Sequence, residues 1–105
     1  MQLRRVVVTG MGAITPLGND VNSFFHGLRT GASGAGLITH FDTEKFKVKF
    51  ACEVKNFNTE DFFDRKEARK MDPFTQYAMV AADEAIHHSG ILQQTYNPDR
   101  IGVVW

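Results

Sequence analysis

Residues 3–20, LRRVVVTGMGAITPLGND, decide the fold class. Leu3 to Thr9 is rich in β-branched valine and apolar without alternation, the pattern of a strand covered on both faces, as in a sheet flanked by helices. Gly10 to Gly18 is loop chemistry, and Asp20 is a candidate N-cap for the helix that follows. Strand, glycine loop and helix in that order are the opening of an α/β protein. Arg4 and Arg5 ahead of Val6-Val7-Val8 could suggest a signal peptide. The apolar stretch is broken by Thr9, Gly10 and Gly12, however, and it ends at Pro16 without a small-residue cleavage site.

Downstream of Asp20, Val21, Phe24, Phe25 and Leu28 recur at i, i+3, i+4 and i+7 with Gly31 as a stop, which predicts a short amphipathic helix. Gly31 to Gly36 reads as a turn into Leu37-Ile38. From Phe46 to Val54 the residues alternate: Val48, Phe50, Cys52 and Val54 share one face, Lys47, Lys49, Ala51 and Glu53 the other. This predicts a strand with one wet face.

Asp64 introduces a short helical stretch through Lys70, and Asp72-Pro73 then supplies an N-cap with proline in the first helical position. The second helix has an apolar stripe of Phe74, Tyr77, Ala78, Ala81, Ala82, Ala85 and Ile86. Gln76, Asp83, Glu84 and His87 are expected to face outward, and Gly90 to end the helix. Arg100 to Trp105, RIGVVW, reads as an apolar strand that stops without a turn or cap. Natural domains avoid such an open edge, so residues 1–105 are expected to form an incomplete domain.

The chain's 105 residues suffice for one modest core and leave no room for two. Apolar residues make up 43% and charged residues 23%, a balance of structured rather than disordered chains. Twelve Lys plus Arg offset twelve Asp plus Glu, so no global basic field draws the chain to nucleic acid. One cysteine excludes an internal disulfide and a multi-cysteine zinc site, and fits a reducing, cytoplasmic compartment. No apolar run is long enough to cross a bilayer.

Four features carry candidate chemistry. Gly10-x-Gly12 between strand and helix invites a dinucleotide-binding reading, but position 15 is Thr where the third glycine belongs, and the helix waits until Asp20. Cys52 sits on an apolar strand face with no histidine or helix N-terminus near it in sequence, which favours a buried structural thiol over a nucleophile. His87 and His88 are adjacent, not i and i+4, and suit the C-terminal dipole of a helix better than a shared metal. Lys66, Arg69 and Lys70 are related by i+3 and i+4, with Arg65 beside them; at this stage they are either a solvated face or an anion-recognition patch.

Taken in order, RRVVVTGMGAITPLGND at 4–20, HFDTEKFKVKFACEVKNF at 40–57, DRKEARKMDPFTQYAMVAADEAI at 64–86 and RIGVVW at 100–105 resemble the beta-ketoacyl-[acyl-carrier-protein] synthases, most closely their type II enzymes. The resemblance implies the opening part of a thiolase-like α/β/α/β/α fold, usually homodimeric. Its members move an acyl group from acyl carrier protein to a cysteine and condense it with malonyl-carrier protein, losing carbon dioxide, with two histidines assisting. It further implies that this cysteine and both histidines lie beyond residue 105, that Cys52 does not match the nucleophile motif, and that no metal or other cofactor is needed. Lys66, Arg69 and Lys70, with Arg65 adjacent, match the family's docking patch for acyl carrier protein. Two other readings remain at this point, a non-catalytic chain-length factor and a nucleotide-binding α/β domain.

Overall fold

The computed structural model describes residues 1–104. In chain order it contains helix α1 (Val21–Thr30), strands β1 (Gly36–Leu37) and β2 (Phe50–Ala51), a 3-10 turn at Thr59–Asp61, helix α2 (Arg65–Ala68) and helix α3 (Pro73–Ser89). Two further 3-10 turns follow at Ile91–Gln93 and Pro98–Arg100.

Both long helices form where their caps place them. Asp20 accepts the Ser23 amide at 2.7 Å at the start of α1. At its end Gly31 takes a left-handed conformation, with φ 68°, that no β-carbon opposes. The amides of Gly31 and Ala32 then close on the carbonyls of Leu28 and Gly27, a Schellman ending. Pro73 opens α3, whose expected N-cap Asp72 precedes it but makes no side-chain capping bond, and Gly90, with φ 67°, closes it.

α3 is the spine on which the other segments lie. A β-carbon at Gly12 would collide with the Ala81 carbonyl, and one at Gly10 with the Ala85 carbonyl. The glycine loop therefore rests directly on the alanine face of α3, with Ala81 and Ala85 one turn apart. Further along, the Phe57 ring meets Tyr77 of α3 edge-on at 4.9 Å and stacks on Phe62 at 5.4 Å. β1 and β2 pair antiparallel with Gly36 opposite Ala51 and Leu37 opposite Phe50, and one further bond runs from the Ile38 amide to the Lys49 carbonyl. Lys55 ties this ribbon to the glycine loop: its ammonium donates to the Gly34 carbonyl at 2.8 Å and to those of Glu53 and Pro16 at 3.2 and 3.4 Å.

Several expectations are corrected. Residues 3–9 form no strand, and Val6 is 89% exposed, because no described segment lies beside them to complete a ladder or cover either face. The strand expected over 46–54 is paired only at Phe50–Ala51, and its apolar face, Val48, Phe50 and Cys52, is exposed. Residues 101–104 form no strand, and Trp105 lies outside the described residues. No hydrophobic side chain of the described residues is buried, so the modest core expected from length is not formed. Two long helices, a one-turn helix and a ribbon of two two-residue strands cannot enclose one.

The dimensions agree. The radius of gyration is 17.7 Å, against about 13 Å for a compact domain of this length. The accessible surface is 9330 Å², against roughly 5,900 Å² for a folded chain of this mass. Among the described residues no helix is long and apolar enough to cross a membrane.

Candidate functional site

The basic segment begins in a helix too short to stand alone. α2 has four residues, and its N-cap Asp64 makes no side-chain capping bond; isolated helices of this length do not persist in water. The helical stretch expected through Lys70 ends at Ala68. Arg69 keeps helical angles as the C-cap, and the chain leaves through tighter turns, Lys70 N–H to the Glu67 carbonyl at 3.0 Å and Met71 N–H to that of Ala68 at 3.3 Å.

Arg65, Lys66, Arg69 and Lys70 are all exposed. Arg65 lies 4.0 Å from Glu60, a pair so solvated that it contributes little. Among the described residues no carboxylate comes within ion-pair distance of Lys66, Arg69 or Lys70. Acidic Glu60, Asp61 and Asp64 precede the four cations, Glu67 interrupts them and Asp72 follows, so the positive surplus is confined to residues 65–70. Exposed cations clustered in this way can attract an acidic surface and hold it loosely.

Two residues expected to face outward instead do structural work at this surface and at the glycine loop. Gln76 is the one buried polar side chain among the described residues, at 8% exposure. Its amide nitrogen donates to the carbonyls of Ala68 and Met71, both at 3.2 Å, and its oxygen accepts the Thr59 hydroxyl at 2.9 Å. Glu84 is half-buried, and its carboxylate accepts the amides of Ala13 and Val21, both at 2.9 Å. Polar residues on a helix with an obvious apolar stripe are expected to face outward. A second signal was available: Gln76, Val80, Glu84 and His88 follow one i+4 row, and a valine within a polar row marks a covered face.

The phosphate-binding reading of the glycine loop fails on geometry. A dinucleotide site needs free amides at a helix N-terminus and room for a phosphate beside the glycines. Here the Val21 amide is occupied by Glu84, the Ser23 amide by Asp20, and Gly10 and Gly12 are pressed against α3.

His88 Nδ1 accepts the Met11 amide at 3.1 Å, while His87 Nδ1 lies 2.8 Å from the Asp83 carbonyl, so the two rings serve different neighbours. Cys52 is exposed, which corrects its expected burial; the ladder stops at Ala51, and no second layer covers it.

Outside this geometry, the chain matches known proteins along almost its whole length. The profile of the family "Beta-ketoacyl synthase, N-terminal domain" matches residues 3–105. A 3-oxoacyl-[acyl-carrier-protein] synthase 2 from Staphylococcus aureus (strain COL) is 51% identical over 102 residues, covering 97% of this chain and 25% of the relative. The protein of the same name from Synechocystis sp. (strain ATCC 27184 / PCC 6803 / Kazusa) is 43% identical over 104 residues, again 25% of its length. The solved structure "The ishigamide ketosynthase/chain length factor" superposes with a TM-score of 0.75 at 39% identity, covering 94% of this chain and 23% of that one. The chain thus spans about a quarter of the length of its relatives and carries an α/β portion of the thiolase-like ketosynthase fold. With a profile match from residue 3 to residue 105, it belongs to the beta-ketoacyl synthase family, in the part that family calls its N-terminal domain.

Proposed function

We propose that these residues form the N-terminal portion, an incomplete 1–105 segment, of a beta-ketoacyl-[acyl-carrier-protein] synthase of type II. The parent enzyme is an acyltransferase that performs the decarboxylative condensation of an acyl thioester with malonyl-carrier protein in fatty acid elongation. The observation that carries this reading is the 51% identity to a 3-oxoacyl-[acyl-carrier-protein] synthase 2 over 97% of the chain.

Within that enzyme this segment contributes recognition and scaffold. The nucleophilic cysteine and the two histidines that the family resemblance implies lie beyond residue 105, so residues 1–105 alone are inactive. Arg65, Lys66, Arg69 and Lys70 form part of the docking surface for acyl carrier protein, supported by their exposure and local positive surplus. The enzyme works in the cytoplasm as a homodimer and requires no metal or other cofactor.

A second reading, a non-catalytic chain-length factor, draws support from the solved relative, a protein named as a ketosynthase/chain length factor. One experiment separates the two. The full-length protein is incubated with acyl-carrier protein and examined by intact mass, then supplied with malonyl-carrier protein. A stoichiometric acyl-enzyme followed by release of 3-oxoacyl product supports the synthase; neither event, in a folded protein, supports the factor.

A further inference from the structure

We infer that Gln76 is the positioning residue of the docking surface: its buried amide fixes the turn that presents Arg69 and Lys70 to an acidic carrier protein. The inference rests on the docking reading given above and adds the residue that makes this surface one defined shape.

The argument starts from what α2 lacks. A four-residue helix without a side-chain N-cap, ended by neither glycine nor a left-handed residue, has only the two tighter backbone turns, Lys70 N–H to Glu67 and Met71 N–H to Ala68, to hold its end. Gln76 adds side-chain donors, its two amide hydrogens, to two carbonyls there, that of Ala68, which also accepts the Met71 amide, and that of Met71. The residues between those two anchored carbonyls are Arg69 and Lys70.

The amide oxygen, on the opposite side, accepts the Thr59 hydroxyl, next to Glu60, which faces Arg65. One side chain therefore links the turn after α2 and the 3-10 turn that precedes α2 to α3. Only one orientation of the amide satisfies this site, because two of its neighbours are carbonyl oxygens, which accept but cannot donate, and the third is a hydroxyl. Gln76 is itself held in the first turn of a 17-residue helix, its backbone amide bonded to the Asp72 carbonyl at 3.1 Å, so the anchor is rigid relative to what it anchors.

Long cationic side chains lose conformational freedom on docking, and a fixed backbone beneath them reduces what the encounter must order. Gln76 touches neither substrate nor carrier protein. It acts through the turn.

The test uses a full-length ketosynthase carrying these residues, with Gln76→Leu, which keeps the volume and removes all three hydrogen bonds. KM and kcat are measured on acyl- and malonyl-carrier protein and, separately, on small soluble acyl thioesters. KM for the carrier-bound substrates is expected to rise roughly five- to tenfold, with kcat/KM on the small thioesters within about twofold. Equal losses on both substrate types, or no loss on either, would overturn the inference.

Should the leucine variant not fold, Thr59→Val, which removes one hydroxyl and leaves the backbone alone, is expected to give the same selectivity at about two- to threefold; a non-selective or absent effect overturns the inference equally. Lys66→Glu with Arg69→Glu, measured in parallel, separates the two claims. If the charge reversal weakens carrier-bound turnover and Gln76→Leu does not, positioning is wrong and docking stands. If the reversal has no effect, the docking reading falls and this inference falls with it.

Discussion

Glu84, on the penultimate turn of α3, accepts the first backbone N–H of α1, that of Val21, at 2.9 Å across 63 residues of sequence. Its other carboxylate oxygen takes the Ala13 amide at the same distance. A negative charge at a helix N-terminus meets the positive end of the helix dipole as well as unsatisfied donors. One side chain therefore sets the start of α1 and the course of the glycine loop together. Glu84→Gln places an amide NH₂ against one of these donors, and in a full-length ketosynthase it should cost about 1.5–3 kcal/mol of stability. Denaturant unfolding of the variant reads this, and a midpoint equal to wild type would refute the clasp.

Gly12 is the tightest point of the same loop, since its α-carbon lies where any side chain would meet the Ala81 carbonyl of α3. Gly12→Ala should destabilise by about 1–3 kcal/mol through overpacking. Gly36→Ala is the control, because a β-carbon there meets nothing within 4 Å. Equal unfolding midpoints for the two variants would show that the glycine is not needed for close approach.

Glu53 links the loop after β1 to β2. Partial burial pushes its carboxyl pKa up, but the Thr39 hydroxyl, the Thr39 and His40 amides and the His40 imidazole outweigh that and hold it below the ordinary value. A depressed folded-state pKa gives stability that is fully present above the unfolded value, about 4.3 for glutamate, and is lost as pH falls through the lower folded value. Hydrogen exchange of the Thr39 and His40 amides should therefore lose protection as pH falls through that lowered folded-state value, below the ordinary glutamate range. Glu53→Gln should remove that dependence; if it persists in the variant, another group is responsible.

The thiol of Cys52 is exposed, one residue beyond the end of the β1–β2 ladder. In a full-length ketosynthase Cys52→Ala should leave turnover within about twofold and change stability by no more than about 0.5 kcal/mol. Loss of acyl transfer in a folded variant would give the residue a role that this geometry denies it.

What could be read from sequence, and what could not, follows the range of the interactions involved. α1 and α3 were legible because their ends are written locally, in Asp20 and Gly31, and in Asp72-Pro73 and Gly90. The strands were legible only as periodicity: Val6 to Val8 and Phe46 to Val54 have the composition of strands, but a ladder needs a partner, and partners are not encoded in the segment itself. Gln76 and Glu84 were misread because helical periodicity identifies one covered face, whereas α3 is covered on two, by the glycine loop and by the turn after α2. The basic patch was legible as charge, and its conformation was not, since that depends on an amide eight residues beyond Ala68.

The proposed docking role of the basic segment is tested through the chemistry of encounter. Lys66 and Arg69 are exposed and carry no ion pair among the described residues, so their charge is available to steer an acidic partner. Reversing both to Glu in a full-length ketosynthase should lower kcat/KM on carrier-bound substrates by about tenfold or more at low salt, chiefly by slowing association. Small soluble thioesters would bypass the proposed docking surface, and their turnover should stay within about twofold; that contrast separates docking from chemistry. Exposed charges are screened over about 8 Å at physiological ionic strength, so added salt should slow the wild type more than the variant and narrow the gap between them. A merely solvated helix face predicts no gap at any salt. Equal kinetics for wild type and the double variant on carrier-bound substrate at low ionic strength would therefore refute the docking reading and leave Arg65, Lys66, Arg69 and Lys70 as ordinary surface charge.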